Sequence, residues 1–116
     1  MVNPVNAGKT SEFNKSTMKK VSIQGKELLI VKVDDKYYAI DNRCPHMGGD
    51  LSRGTLKGTV VTCPRHGSQF DLSNGENVRW LKGSGFIAKL GKLLKPPKQV
   101  TTYRVYVDND EIIIEL

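Results

Sequence analysis

The arrangement of cysteines and histidines constrains this chain more than any other feature of its sequence. The chain has two cysteines and two histidines, which form two short pairs, Cys44-Pro45-His46 and Cys63-Pro64-Arg65-His66. Sixteen residues separate the pairs. A lone cysteine is usually a small buried apolar residue, but random placement would rarely gather four potential metal ligands in this way. The pattern therefore favours a metal site built from two loops.

The bulk properties predict one globular domain over residues 1–116. This length lies in the usual range for a domain and permits a sizeable core. No apolar run approaches the roughly 20 residues that a membrane-spanning helix needs, and the N-terminus lacks the apolar stretch of a signal peptide. We therefore expect a cytoplasmic protein whose first dozen residues are partly loose. In a reducing compartment, two cysteines beside histidines are more typical of metal binding or catalysis than of a disulfide.

Alternating apolar segments predict an all-β fold. Turn signals at Gln24-Gly25 and Asp34-Asp35 separate three segments of a short antiparallel meander, and Asp108-Asn109-Asp110 separates the last two segments. The predicted strands cover residues 19–23, 27–33, 36–41, 59–62, 68–72, 101–107 and 111–116. Five of the seven lie outside residues 44–72, so we expect a sheet scaffold with a smaller inserted unit, over residues 42–72, that carries both pairs.

A basic insertion over residues 79–98 interrupts the β pattern. Its apolar residues gather on one helical face, and three lysines lie opposite them. Gly91 weakens a helix by about 1 kcal/mol relative to alanine, and Pro96-Pro97 ends it. Both a short helix and a structured loop fit this segment.

Two kinds of metal site fit the ligand types. Four ligands of the Cys₂His₂ type could bind one tetrahedral zinc ion, although zinc fingers usually take two cysteines from one arm and two histidines from the other. Here each arm supplies one cysteine and one histidine. That distribution suits a two-iron cluster in which one iron takes both thiolates and the other takes both imidazoles.

At the level of whole motifs, the chain resembles the Rieske [2Fe–2S] proteins, whose two loops carry C-x-H and C-x₂-H. "YYAIDNRCPHMGGDLSRG" and "VVTCPRHGSQFDLSNGE" are similar to the strands, ligand loops and turn of that family, and "TTYRVYVDNDEIIIEL" is similar to its closing hairpin. The resemblance covers residues 18–76 and 101–116. It implies an antiparallel β-sandwich or barrel scaffold with an inserted cluster-binding subdomain.

The resemblance also implies the four ligands of a [2Fe–2S] cluster. Cys44 and Cys63 would bind one iron as thiolates, and His46 and His66 would bind the other through a ring nitrogen. Ser68 matches a family position whose hydroxyl donates to the cluster, which raises the reduction potential.

Other residues of the two loops lie around the implied cluster. Gly48 and Gly67 allow backbone amides to approach the inorganic sulfurs. Phe70 stands where high-potential respiratory members carry a tyrosine hydroxyl. Met47 and Arg65 stand where those members carry two cysteines that form a disulfide. These departures imply a ferredoxin-type member with a potential toward the lower part of the Rieske range of about −150 to +300 mV.

Three classes of function are open at this stage. The first is a one-electron carrier, a Rieske-type ferredoxin that moves electrons between a reductase, expected to be a flavoprotein, and an oxygenase or other redox enzyme. The second is a redox or iron sensor, and the third is a zinc-stabilised interaction module. Catalysis by the chain itself is not expected, because a non-haem iron triad needs two further histidines that the sequence lacks.

The basic segment predicts a partner surface. The stretch from Arg79 to Arg104, including both arginines, has seven basic residues and no acidic residue. Lys89, Lys92 and Lys95 could steer an acidic reductase or acceptor to the protein. Contact with an anionic membrane surface is an alternative. The few interleaved aromatic residues argue against nucleic acid. Equally, the apolar face could pack over the sheet and leave its lysines in solvent.

Overall fold

The computed structural model describes residues 4–13, 17–45, 49–64, 67–79 and 99–116. Within these ranges the chain forms ten strands in two antiparallel sheets, which confirms the predicted all-β fold. In the same ranges no helix is long and apolar enough to cross a membrane.

The ten strands follow one another closely along the chain. They are β1 (Pro4–Lys9), β2 (Met18–Ile23), β3 (Lys26–Val33), β4 (Lys36–Asp41), β5 (Thr55–Lys57), β6 (Val60–Thr62), β7 (Gln69–Asp71), β8 (Asn77–Arg79), β9 (Thr102–Asp108) and β10 (Glu111–Glu115). The larger sheet has six strands in the order β1-β10-β9-β4-β3-β2. The smaller sheet has four strands in the order β5-β6-β7-β8 and contains the region of the second Cys/His pair.

Tight turns join the hairpins at the positions that the sequence predicted. Between β2 and β3, Gln24 and Gly25 have φ values of 52° and 79°. Between β9 and β10, Asn109 and Asp110 have φ values of 50° and 63°. Two positive φ values in a two-residue loop match the right-handed twist of the flanking strands, and glycine, asparagine and aspartate tolerate them best.

Strand β3 lies at the centre of the core because both of its faces are buried. Successive side chains of a strand point to opposite faces, so its continuous apolar run divides between two clusters. Leu28 and Ile30 pack into the cluster of the larger sheet, which consists of Phe13, Leu28, Ile30, Ala39, Ile112 and Ile114. Leu29 and Val31 pack into the loop cluster, which consists of Leu29, Val31, Ile40, Cys44, Leu51, Val61, Cys63, Phe70, Leu72 and Val100.

The expectation of a loose N-terminus is wrong for residues 4–13. Strand β1 pairs with β10 from Pro4 opposite Glu115 to Lys9 opposite Glu111, with a register shift between Asn6 and Gly8. The 3₁₀ turn Thr10–Phe13 then buries Phe13, whose ring packs edge-on against Tyr37 with 5.5 Å between centroids. The pairing with the far end of the chain and the burial of one phenylalanine order this segment, although its own sequence is only weakly apolar.

Strands β5 and β8 were not predicted from the sequence. Each has three residues, which is too short to show the alternation that identifies longer strands. Because β8 pairs with β7, the smaller sheet continues to Arg79, the first residue of the basic segment. Residues 80–98, including the predicted docking residues Lys89, Lys92 and Lys95, lie outside the described residues.

Candidate metal centre

The fold brings both cysteines into one apolar cluster. Cys44 follows the end of β4 by three residues, and Cys63 follows β6 directly. Their exposed fractions are 2% and 3%, and both side chains belong to the loop cluster. Neither cysteine forms a disulfide. The two predicted ligand loops, distant in sequence, therefore converge on the same region between the sheets.

The two loops are closed by equivalent backbone hydrogen bonds. The N–H of Cys44 donates to the carbonyl of Gly49 at 2.8 Å, and the N–H of Cys63 donates to the carbonyl of Ser68 at 2.7 Å. Each bond spans five residues, and in each loop the histidine of the pair lies within that span. In the second loop, Gly67 also donates its N–H to the carbonyl of Cys63 at 3.1 Å. The backbone of each cysteine is thus bonded to the residue five positions later in the chain.

The structure describes three of the residues predicted to surround the site. Gly67 has a φ of 74°, in the left-handed region that favours glycine. Ser68 and Phe70 are fully buried. The described residues contain no group of three or more His, Cys, Asp or Glu side chains that could hold a metal ion. The remaining predicted site residues lie outside the described ranges: His46, Met47, Gly48, Arg65 and His66.

A polar network at the base of the first loop was not predicted from the sequence. Asn42 is 1% exposed, and its Nδ2 donates to Oδ1 of Asp50 at 2.7 Å. The Oδ1 of Asn42 accepts the backbone N–H of Ser52 at 2.8 Å. The same carboxylate oxygen of Asp50 accepts from the N–H and the hydroxyl of Ser52. The Asp-x-Ser spacing is a recognisable turn signal, but the bond to Asn42, eight residues away, has no sequence signature.

Asp50 carries a negative charge at neutral pH. Burial alone would raise its pKa, but hydrogen bonds from Ser52, Asn42 and Lys20 outweigh that effect and lower the pKa to about 2. The Nζ of Lys20 lies 3.3 Å from Oδ2 of Asp50, and Nε of Arg53 lies 3.6 Å from the same oxygen. The first ligand loop therefore ends on a charged, multiply bonded carboxylate that is linked to strand β2.

The donor set fits an iron–sulfur cluster with mixed ligation. A thiolate buried among apolar side chains is costly unless a cation or hydrogen-bond donors balance its charge. Cys44 and Cys63 lie in such a setting, and their loops also contain the two imidazoles of the chain. Two thiolates and two imidazoles are the ligands of a Rieske-type [2Fe–2S] centre.

Comparison with protein families gives a direct match. The model of the Rieske [2Fe–2S] domain matches residues 3–86 of the chain. The ferredoxin component of the naphthalene 1,2-dioxygenase system of Pseudomonas putida is 32% identical over 97 residues, which cover 83% of this chain and 79% of the relative.

Solved structures agree with this match. The ferredoxin of carbazole 1,9a-dioxygenase from Nocardioides aromaticivorans IC177 superposes with a TM-score of 0.78 at 24% identity, covering 97% of this chain and 96% of that one. A ferredoxin seen in complex with its oxygenase in carbazole 1,9a-dioxygenase superposes with a TM-score of 0.74 at 26% identity, covering 96% of this chain and 91% of that one. The predicted [2Fe–2S] cofactor and the predicted role as an electron-carrying ferredoxin, rather than an enzyme, are confirmed by these relatives. The chain belongs to the Rieske [2Fe–2S] domain family.

Proposed function

We propose that this protein carries single electrons from a flavoprotein reductase to the terminal oxygenase of a multicomponent oxygenase system. The observation that carries the proposal is the convergence of two equivalently closed cysteine loops in one apolar cluster. Support for the partners comes from the relatives, one of which is named as the ferredoxin component of a dioxygenase system and another of which is seen bound to an oxygenase.

The ligands follow from the positions of the two loops. Cys44 and Cys63 would hold one iron, and His46 and His66 would hold the other. When bound, such a cluster supplies a one-electron redox couple. The backbone bonds from Cys44 to Gly49 and from Cys63 to Ser68 orient the thiolates. The apolar side chains around the two thiolates exclude water from them.

The scaffold limits how far the loops can move when the charge of the site changes. Leu29 and Val31 of the central strand β3 are fully buried and pack in the same cluster as both cysteines. A close-packed core resists displacement, because moving one side chain forfeits its contacts. We infer that the protein keeps nearly the same loop geometry in both oxidation states, which favours rapid electron transfer.

We also propose that Lys89, Lys92 and Lys95 contribute to docking an acidic partner. Support comes from the described residues that flank the basic segment. Arg79 pairs with Gln69, the residue after Ser68 of the second ligand loop. On the other side, Val100 donates its N–H to the carbonyl of Gly75 at 3.0 Å. Both ends of the segment are therefore attached to the part of the fold that contains the second ligand loop.

The docking proposal is tested by changing the three lysines to glutamine. At low salt, we expect the triple variant to be reduced more slowly by the reductase or oxidised more slowly by the oxygenase, with the difference shrinking as salt screens the charges. The matched control changes Lys9, Lys32 and Lys36 to glutamine, which removes the same charge at the end of the larger sheet distant from Cys44. If the two triple variants are reduced and oxidised at equal rates, the proposed docking role of Lys89, Lys92 and Lys95 is wrong.

The electron-carrier proposal is tested by metal content and spectroscopy. Purified protein should contain two irons per chain and, after reduction with dithionite, show a rhombic electron paramagnetic resonance signal with a low average g-value. It should then support turnover when added to a flavoprotein reductase and a terminal oxygenase. One zinc per chain with no signal would instead indicate a metal-stabilised binding domain.

We propose further that residues 1–116 act as one domain, with the cluster-binding unit over residues 42–72, and that the protein works in the cytoplasm. The unit is joined to its surroundings at both ends, because Asn42 donates its N–H to the carbonyl of Glu27 and Asp71 donates its N–H to that of Glu76. Cell fractionation tests the location, and limited proteolysis tests the single domain.

A further inference from the structure

We propose that Asn42 and Asp50 are positioning residues that hold the first ligand loop closed around the cluster. The proposal rests on the proposed function, because it takes Cys44 and His46 as ligands. The chain has two cysteines, and if both bind iron no disulfide can fasten the loops. A non-covalent fastening at the base of a ligand loop would then control how firmly the loop retains the metal.

The geometry of the network fits this role. Asn42 precedes the loop and is fixed to strand β3, because its N–H donates to the carbonyl of Glu27 at 3.0 Å. Asp50 ends the loop, and the 2.7 Å bond from the Asn42 amide joins the two ends directly. The carbonyl of Asn42 accepts the N–H of Leu51 at 2.9 Å, which adds a backbone bond beside the side-chain bond. Lys20 ties the same carboxylate to strand β2.

The described side chains at the base of the second ligand loop form a bond of a different kind. Across its base, Nε2 of Gln69 donates to the hydroxyl of Thr62 at 3.2 Å. Both groups are neutral, whereas the first loop uses a carboxylate that accepts several hydrogen bonds. Hydrogen bonds to charged groups contribute roughly twice as much as neutral ones. Removing the carboxylate network should therefore loosen the first loop more than removing the bond between Gln69 and Thr62 would loosen the second.

A repeated tripeptide supplies a matched control within the same chain. Asp50-Leu51-Ser52 and Asp71-Leu72-Ser73 have the same sequence, and in both the aspartate accepts hydrogen bonds from the N–H and the hydroxyl of the serine. In the second copy, Oδ1 of Asp71 accepts the N–H of Ser73 at 2.9 Å and its hydroxyl at 2.6 Å. The leucines of both copies are buried, at 0% and 2% exposure. The copies differ in that Asp50 bonds to Asn42 across the base of a ligand loop, whereas Asp71 is the last residue of strand β7.

The experiment compares Asn42→Ala and Asp50→Ala with Asp71→Ala in the iron-loaded protein. The first measurement is hydrogen–deuterium exchange by mass spectrometry in peptides that cover residues 42–52 and 62–72. The second is the rate of iron release to a chelator, and the third is the set of g-values of the reduced protein. We expect Asn42→Ala and Asp50→Ala to increase exchange in residues 42–52 and to accelerate iron release about tenfold, as loss of a charged hydrogen bond implies. Their g-values should also shift or broaden, whereas Asp71→Ala should change iron release by less than about twofold.

If the alanine variants of Asn42 and Asp50 fail to fold, two less disruptive serine variants test the same proposal. Ser52→Ala and Ser73→Ala each remove one hydroxyl that donates to an aspartate, at 2.5 Å and 2.6 Å. We expect Ser52→Ala to accelerate iron release about threefold and Ser73→Ala to leave it unchanged. Equal iron release and exchange in residues 42–52 within each matched pair would overturn the positioning role. If the unchanged protein itself holds no iron, the proposed function fails, and that result is distinct from a failure of the network.

Discussion

Replacing Gly54 with alanine should disturb the contact between the two ligand loops. Gly54 follows the 3₁₀ turn Leu51–Arg53, which comes directly after the first loop, and it donates its N–H to the carbonyl of Leu51. Its φ of −79° suits any residue, so the backbone conformation does not require glycine. A Cβ at this position, however, would lie 2.0 Å from the carbonyl oxygen of Thr62. Thr62 directly precedes Cys63, and the steric conflict therefore arises beside the second ligand.

The size of the effect follows from this contact. To reach a normal separation, Gly54 and Thr62 must move apart by more than about 1 Å. Overpacking costs about 1–3 kcal/mol, and the upper end applies here because a backbone carbonyl cannot rotate away as a flexible side chain does. Alanine recovers about 0.4–1 kcal/mol by restricting the unfolded chain. We therefore expect a net destabilisation of about 2 kcal/mol.

Thermal unfolding of the iron-loaded protein, scanned at a fixed rate, measures this effect. For a chain of this size, about 2 kcal/mol corresponds to a decrease of roughly 8 °C in the transition temperature. The visible absorbance of the cluster should be lost before the far-ultraviolet circular dichroism of the sheets, because the strain lies next to Cys63.

Gly58→Ala provides the control. Gly58 lies in the adjoining β5–β6 turn with a φ of 60°, and an added Cβ would have nothing within 4 Å. Left-handed strain alone should cost about 1 kcal/mol and should not accelerate loss of the cluster. The reasoning is refuted if Gly54→Ala is no less stable than Gly58→Ala, or if both lose visible absorbance together with their secondary structure.

Three further predictions concern the reduction potential and pH. Ser68→Ala should lower the potential by roughly 40 mV, the equivalent of one hydrogen bond of about 1 kcal/mol, because a donor stabilises the reduced cluster; an unchanged potential would contradict this. With Phe70 in place of a tyrosine, we expect the potential to vary little with pH near neutrality, and a slope near 59 mV per pH unit, one proton per electron, would show otherwise. Burial and the 2.6 Å hydrogen bond to Asp41 raise the pKa of Tyr103 to about 12. This folded pKa lies above the usual value of 10.0. The protonated Tyr103 therefore stabilises the folded state fully below pH 10, and this contribution to the free energy of unfolding is lost as the pH rises from 10 toward 12. Tyr103→Phe should therefore flatten the dependence of the urea midpoint on pH in that interval, and a parallel dependence in both proteins would contradict the assignment.

Local patterns in the sequence were sufficient to predict the main strands and part of the site. Residues 27–33 and 36–41 form strands as predicted, because alternation and turn residues act within a few positions. The Cys/His spacing indicated the family and the two ligand loops before the fold was known. The roles of His46, His66 and the other predicted site residues remain predictions, since the comparisons establish the family and not the function of each residue.

Contacts between distant parts of the chain decided the rest. Strand β1 forms because it pairs with β10 at the other end of the chain. Phe13 is buried because its ring packs into the cluster of the larger sheet. Asn42 can hold the first loop only because folding places Asp50 against it. Glycine is required at position 54 only because the carbonyl of Thr62 approaches it in the folded protein. The sequence by itself determined which short segments could become strands, turns and ligand loops, since those preferences depend on near neighbours. The closure of the ligand loops and the ordering of the N-terminus depended on the tertiary structure, because hydrogen bonds and steric contacts act between groups that only the complete fold brings together.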